Sequence, residues 1–341
     1  MRILLTRMKF IGDIVLTTPH IRAVRRAHPD GFLAYMGDMH AVSLLERNPA
    51  LDEIIPYDYG RPALLEQARV ARLLRSRRFD LAIDLFGNPR SALLTRLSGA
   101  PVRVGPGRRG RGRLYTLQVH DDGRPKTAIE FHDMSLRAAG LPAAEGSTEI
   151  FLSEEERARA ADLLRSHGAD AGKGPLVGLH PGATWPAKRG PPERFAALAD
   201  RLAAAHGCTV VLTAGPRDAE AVRDVQAAAR TPLALMAGLP LRTLAAVLSH
   251  LAAYVANDNG TMHIAAAVGT PTVGIFGPGE ERIWFPYDRA RGHIPLRRDV
   301  PCHPCHLDVC NRTGEGFMEC MRLLGVEDVE AAVREAMARS R

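Results

Sequence analysis

The 341-residue chain carries 45 Lys and Arg against 38 Asp and Glu, a formal charge of +7, and is 46% hydrophobic. That apolar content over that length builds two ordinary cores and excludes a disordered chain, while five cysteines exclude a disulfide-built miniprotein. Aromatic residues, at 5%, are too few for stacking along single strands, and no basic recognition helix is evident, so the expected anionic partner is a phosphorylated ligand or a membrane surface and not nucleic acid.

From the start, Arg7 and Lys9 interrupt the apolar run that a signal peptide would need. Residues 3–6 read as a buried parallel strand, followed by a loop and a helix over 14–27. The strand pattern returns at 32–36, 54–57 and 81–85. A helix over 63–77 carries Leu64, Leu65, Ala68, Ala71 and Leu74 on one face. The charged helix 154–167 runs into a Gly-rich linker that ends at Pro175, which places the domain boundary between residues 170 and 171. A second series follows, with strands at 176–179, 210–213, 233–236, 254–256 and 272–276 and helices at 193–205, 219–229, 241–251 and 262–268. This alternation implies an α/β protein with two doubly wound parallel sheets, each presenting ligand sites at its strand carboxyl ends, toward a cleft. The longest stretch free of charged residues, 259–279, contains five Gly and two Pro and reads as buried strand and loop. The expectation is a cytosolic protein whose membrane contact is peripheral.

Three polar, Gly-bearing turns sit where such a site would lie. In Lys9-Phe10-Ile11-Gly12-Asp13, Gly12 permits a tight strand-to-helix turn, and Asp13 is either a helix cap or a carboxylate placed to deprotonate a hydroxyl. Thr184 and Lys188 lie in the Pro/Gly-rich loop 180–192, either a structural loop or a phosphate site. In Asn257-Asp258-Asn259-Gly260-Thr261-Met262-His263, the Gly260 and Thr261 amides offer an anion site at a helix start, against the plainer readings of an Asx turn and a core histidine.

Gly105-Pro106-Gly107-Arg108-Arg109-Gly110 matches a dinucleotide fingerprint by letter, but no helix pattern follows, and a basic loop with Arg103, Arg108, Arg109, Arg111 and Arg113 is the better reading. Those arginines either meet phosphates on an anionic substrate or form a solvated charge run. Cys302, Cys305, Cys310 and Cys320 have the residue chemistry of a structural zinc or iron–sulfur site, with inert or redox-linked thiols as the alternative; His303 and His306 leave the ligand set open. Cys208 reads as a small buried apolar residue.

In their order and spacing, the Gly12-Asp13 loop with Thr17-Thr18-Pro19, the His180-Pro181-Gly182 to Lys188 loop, the 257–263 turn and the run from Ala265 through Phe276-Gly277-Pro278 resemble the bacterial heptosyltransferases of glycosyltransferase family 9, which build the lipopolysaccharide inner core. The resemblance implies a GT-B fold of two Rossmann-like domains facing a central cleft. Residues 1–170 would bind the acceptor and 171–325 the nucleotide sugar, with 326–341 a closing helix packed near the first domain. It implies inverting transfer of heptose from ADP-L-glycero-D-manno-heptose to a lipid-linked, phosphorylated inner-core acceptor at the cytoplasmic membrane surface, with no cofactor needed for catalysis.

By position, Asp13 would be the general base, and Thr184 and Lys188 would hold the diphosphate, with Lys188 offsetting charge on departing ADP. Asp258, Asn259, Gly260, Thr261 and His263 would line the donor site, and Lys9, Arg108, Arg109 and Arg111 the acceptor side. The segment 218–220 would add a sugar or nucleotide contact. Asn259, Thr261 and Ala183 depart from the family's usual residues, which bears on the donor sugar. The alternatives are a GT-B transferase with another nucleotide sugar or acceptor, and a non-catalytic nucleotide-binding module.

Overall fold

A computed structural model describes residues 1–108 and 110–339. In the first half, six strands form: Arg2–Arg7 (β1), Phe32–Asp38 (β2), Glu53–Tyr57 (β3), Leu81–Asp84 (β4), Val102–Pro106 (β5) and Leu117–Val119 (β6). They make one parallel sheet in the order β3-β2-β1-β4-β5-β6. Because successive side chains alternate faces, Ile3 and Leu5 join Tyr35, Ile83 and the helix residues Ile21 and Val24 on one side, while Leu4 joins Met36, Val70, Leu74 and Leu94 on the other. Burial on both faces is what turns a short, unalternating apolar run into a central parallel strand.

The second half repeats the plan with Leu176–His180 (β7), Thr209–Ala214 (β8), Leu233–Ala237 (β9), Ala253–Asn257 (β10), Thr272–Ile275 (β11) and Ile294–Leu296 (β12), ordered β12-β11-β10-β7-β8-β9. Counted from its own first strand, each sheet follows the doubly wound 3-2-1-4-5-6 order. The order reverses between β1 and β4 in one sheet and between β7 and β10 in the other. At such a reversal the following loops diverge to opposite faces and leave a crevice at the strand carboxyl ends.

Several expectations need correction. The helix expected over 14–27 is two, Ile11–Val15 and Thr18–Ala27, because Pro19 starts the second and the Thr17 and Thr18 hydroxyls donate back to Ile14 and Val15 carbonyls. In the helix Ala63–Ser76 the buried stripe is Glu66, Val70 and Leu74, whereas Leu64 and Leu65 are 81% and 68% exposed. Glu66 occupies the inward position because its carboxylate accepts the Asp58 N–H at 2.9 Å and pairs with Arg69. Strand β5 takes in Arg103 and the first two residues of the stretch expected to be a basic loop, and Arg103 is committed to the Leu114 and Ala100 carbonyls. Gly105 lies in that strand against the Tyr115 ring, so the letter match there is a packing glycine and not a phosphate loop.

The chain divides into compact units Met1–Phe151 and Leu152–Arg341, and not after residue 170. Helix Glu154–Ser166 belongs to the second unit. Its Glu156 carboxylate takes both arms of Arg242 at 2.6 and 2.7 Å, and His250 donates to the Arg157 carbonyl at 2.8 Å. The closing helix Val326–Arg339 likewise places Val329, Ala332, Val333 and Ala336 in the second unit's core with Phe195 and Leu202. Its apolar face is therefore used within that unit.

The Arg242 hydrogen bonds pull the Glu156 carboxyl down to about 2, against 4.5 ordinarily. A depressed folded-state value means stability that is present above pH 4.5 and lost as pH falls through about 2. Glu156→Gln should therefore lower the thermal midpoint at pH 7, with the gap to wild type narrowing from pH 4.5 downward; a gap independent of pH would show that the pairing is not its source.

Candidate functional site

In the first unit the segment after β1 carries Asp13. Asp13 sits in the first turn of the helix Ile11–Val15, where its Oδ2 accepts the Phe10 N–H at 3.2 Å and its Oδ1 pairs with the Arg7 guanidinium. Both side chains are largely buried, and Arg7 lies over the Phe86 ring at 4.2 Å. The carboxylate is thus both a helix-start acceptor and a fixed, oriented acid at the end of a central strand. Arg7 was not singled out in the sequence. As the last residue of β1 it reads as the charged end of an apolar run. Lys9 is half-buried beside Tyr59, Arg108 is exposed, and Arg111 is half-buried; Arg109 lies outside the described residues.

In the second unit the loops after β7 and β10 are bound together. Asn257, the last residue of β10, donates to the Pro181 carbonyl at 2.7 Å and accepts the Gly190 N–H at 3.3 Å. Asn259 donates to the Gly182 carbonyl at 2.9 Å, and its Oδ1 accepts from the Thr261 N–H and hydroxyl at 2.9 and 2.7 Å and, more loosely, from the Met262 N–H. Asn259 is therefore the N-cap of the helix Gly260–Ala267 and also the tie between two loops. Of the two amides expected to face an anion, Thr261's is already committed to this cap. The Thr261 hydroxyl is further held by Tyr254 at 2.9 Å.

Those bonds bring Lys188, at the end of the turn Pro186–Lys188, onto Asp258: Nζ and Oδ2 are 2.6 Å apart, and the ammonium lies 4.4 Å from the Trp185 ring centroid. Burial raises the Asp258 carboxyl and Lys188 opposes it. Burial, with the Lys188 charge adding, pulls His263 down to about 3, so its imidazole is neutral at pH 7 and shares a hydrogen bond with the Tyr287 hydroxyl at 2.7 Å. Gly279 packs so closely on Asp258 that a Cβ there would lie 2.6 Å from Oδ2. Thr184 is exposed on the same loop as Lys188.

Within the segment 218–220 the structure singles out Asp218. It lies 3.4 Å from His180 Nε2, accepts the Gly215 N–H at 2.8 Å, and abuts Gly182, where no side chain would fit. Burial pushes its carboxyl up, but the His180 and Gly215 bonds leave it below the usual range. The glycine at 182 was the available signal, since a carboxylate needs that gap to reach the loop.

The cysteines are all free thiols, and among the described residues no group of three or more His, Cys, Asp or Glu side chains is placed to hold a metal ion. Cys310 accepts the Met318 N–H at 3.3 Å, and the Arg312 guanidinium sits beside Cys302. Burial chiefly, with the charges of the nearby Cys302, Cys305 and Cys310 adding, raises the Cys320 thiol, so the four cysteines lie near one another. The segment also meets the loops after β7 and β11: Asp308 O accepts from Ala187 N at 3.0 Å, His303 donates to Gly279 O at 2.9 Å, and His306 N donates to Pro278 O at 3.0 Å.

The sequence pattern of glycosyltransferase family 9 (heptosyltransferase) matches residues 67–313. Lipopolysaccharide heptosyltransferase 2 of Salmonella typhimurium is 31% identical, with 82% of this chain and 83% of that protein covered. A family 9 glycosyl transferase structure from Veillonella parvula aligns with a TM-score of 0.87 at 26% identity, covering 99% of this chain and 97% of that one. The E. coli ADP-heptose lipopolysaccharide heptosyltransferase II structure gives 0.82 at 25%, with 99% of both covered. Two parallel six-stranded α/β sheets thus define a GT-B glycosyltransferase. The chain belongs to glycosyltransferase family 9, the heptosyltransferases.

Removing the cap and the tie at once gives a direct check on this geometry. Asn259→Ala should cost about 1–2 kcal/mol in denaturant unfolding, and Asn259→Asp, which keeps the capping oxygen, distinctly less. Equal losses would show that the cap contributes little.

Proposed function

We propose that the protein transfers heptose from ADP-L-glycero-D-manno-heptose to a lipid-linked, phosphorylated acceptor of the lipopolysaccharide inner core, with inversion at the anomeric carbon. One observation supports this above the rest: each sheet has one charged group beside its reversal point, the Asp13 carboxylate after β1 and the Lys188 ammonium between the loops after β7 and β10. A single displacement needs those two groups. Asp13 takes the proton from the acceptor hydroxyl as its oxygen bonds to the anomeric carbon; the bond from that carbon to the diphosphate oxygen breaks, and ADP departs with the electron pair. Lys188 meets the charge growing on the diphosphate, with Thr184 and the Gly260 amide as neighbouring donors and neutral His263 at the sugar. Asp258 holds Lys188 in place before the donor arrives, and a diphosphate would compete with it for the ammonium. Lys188 supplies the positive charge at the leaving group, so the reading asks for no metal.

The acceptor's lipid places the reaction at the inner face of the cytoplasmic membrane. No helix among the described residues is long and apolar enough to cross a membrane. The exposed Leu64 and Leu65 beside Arg61 suit peripheral contact instead, with aliphatic side chains entering the interface and a cation meeting anionic headgroups.

Purified Asp13→Asn should bind ADP as wild type does by calorimetry but lose about 10²–10⁴-fold in kcat. Lys188→Ala should lose about 10²–10³-fold and bind ADP more weakly. Mass spectrometry of product from ADP-heptose and lipopolysaccharide lacking heptose checks the reaction itself. Near wild-type turnover in Asp13→Asn would remove the base assignment. Preference for a UDP or GDP sugar would replace the donor, and tight ADP binding without any product would point to a nucleotide-binding module.

A further inference from the structure

Near Asp13 the first unit holds two cations that the mechanism does not use. Lys9, four residues before Asp13, places its ammonium 4.1 Å from the Tyr59 ring centroid, and Arg90, in the first turn of the helix Pro89–Leu97, places its guanidinium carbon 5.2 Å from the same centroid. They come from the loops after β1 and β4, the two sides of the sheet's reversal, and Tyr59 comes from the end of β3. Both cations are half-buried. Among the described residues neither is paired with a carboxylate.

The surrounding charges are already committed. Arg7 holds Asp13, Arg61 lies 3.2 Å from Asp58, and Arg69 pairs with Glu66. Asp38 faces Tyr59, but its carboxylate caps the turn Met39–Val42 through the His40 and Ala41 amides. Tyr57, 1% exposed, meets the Tyr59 ring edge-on at 4.8 Å and buries a hydroxyl with no hydrogen-bond partner, while the Tyr59 hydroxyl has Arg90 beside it. Two like charges sharing one ring repel each other, and a buried hydroxyl without a partner is costly. A single oxyanion between them would relieve both at once, because it accepts from ammonium, guanidinium and phenol alike.

We propose that Lys9, Arg90 and the Tyr57–Tyr59 pair form a subsite for an oxyanion on the acceptor glycan, a phosphate or a sugar carboxylate, which sets the attacking hydroxyl against Asp13. This rests on the proposed transfer and deepens it, since it names what holds the acceptor. The interaction is ionic and partly desolvated, so it orients as well as attracts. Lys9 and Asp13 share one short loop, so an anion fixed at Lys9 constrains where the neighbouring hydroxyl can lie.

The test uses the full-length protein and immobilised lipopolysaccharide lacking heptose, before and after phosphatase treatment. Lys9→Ala and Arg90→Ala should each weaken binding about tenfold, while Arg90→Lys recovers most of it. In wild type, binding should fall steeply with salt, and the double variant should show a shallower dependence. ADP binding serves as the fold control and should stay at the wild-type value, and the thermal midpoint should not fall, since each variant removes one of two mutually repelling cations. If phosphatase treatment removes the difference between wild type and variants, the anion is a phosphate; if the difference survives treatment, it is a carboxylate. Wild-type binding and salt dependence in the double variant would overturn the proposal, as would absence of binding by wild type. Binding in the expected pattern without heptose transfer would leave the subsite standing and sink the donor reading. Transfer with unchanged acceptor KM in the double variant would do the reverse.

Discussion

At the carboxyl edge of the second sheet the arrangement turns on one ion pair, Lys188 with Asp258 at 2.6 Å. Burying two charges costs about as much as their attraction returns, so such a pair is a poor source of net stability. The neighbouring amides fix the geometry instead: Asn257 and Asn259 carry side-chain bonds to Pro181, Gly182 and Gly190 and would hold the loops together without any charge. The pair keeps a cation at a fixed place in a site too dry to leave it alone. His263, neutral because burial and the Lys188 charge both oppose its protonation, adds no second cation. The local charge of the pair is near zero, so the ammonium is available to a more strongly charged partner at the cost of one exchange and not of a fresh desolvation.

Most of the central strands were legible because burial on both faces writes itself as a continuous apolar run, as in Ile3-Leu4-Leu5 and Val210-Val211-Leu212. Strands β5, β6 and β12, at a sheet edge or next to one, were not. They are short, Val102 and Leu117 are more than a third exposed, and β12 contains Pro295, so neither hydrophobicity nor alternation marks them. The helix Ala63–Ser76 was legible as a helix but its inward face was not, because a buried glutamate satisfied by Arg69 and the Asp58 amide looks polar in sequence. Asp13, Lys188 and Asp258 stand out in the sequence because a polar, Gly-bearing turn after a buried strand is a local signal. Arg7 and the choice of Asp218 over its neighbours do not, because both depend on partners distant from the motif or on the space left by a glycine.

The cysteine-bearing segment shows the limit of spacing as evidence. A C-x2-C pair states that two thiols are near each other along the chain, but a metal centre needs the remaining ligands to converge at bond distance, and that depends on where the intervening backbone runs. Here the backbone is drawn toward the site loops by Asp308, His303 and His306, whose bonds reach Ala187, Gly279 and Pro278. His303 uses its imidazole on the Gly279 carbonyl, in the turn that covers Asp258, whereas His306 reaches Pro278 through its backbone N–H and its imidazole lies 3.0 Å from Glu280.

The two units solve the same problem with the roles reversed. In each, a carboxylate and a cation meet beside the first strand of the sheet, largely shielded from water. In the first unit the proposed reactive group is the acid: Arg7 holds Oδ1 and the Phe10 amide holds Oδ2, so the carboxylate is oriented before any hydroxyl approaches. In the second it is the cation, oriented by Asp258 and by the Trp185 ring. A reaction that gathers a proton at one end and negative charge at the other asks for this division, and each partner's task is to hold the reactive member still without leaving a buried charge unbalanced. What Arg7 contributes is geometric: a carboxylate fixed at both oxygens loses little orientational freedom when a hydroxyl approaches, and orientation is a large part of what a single displacement needs.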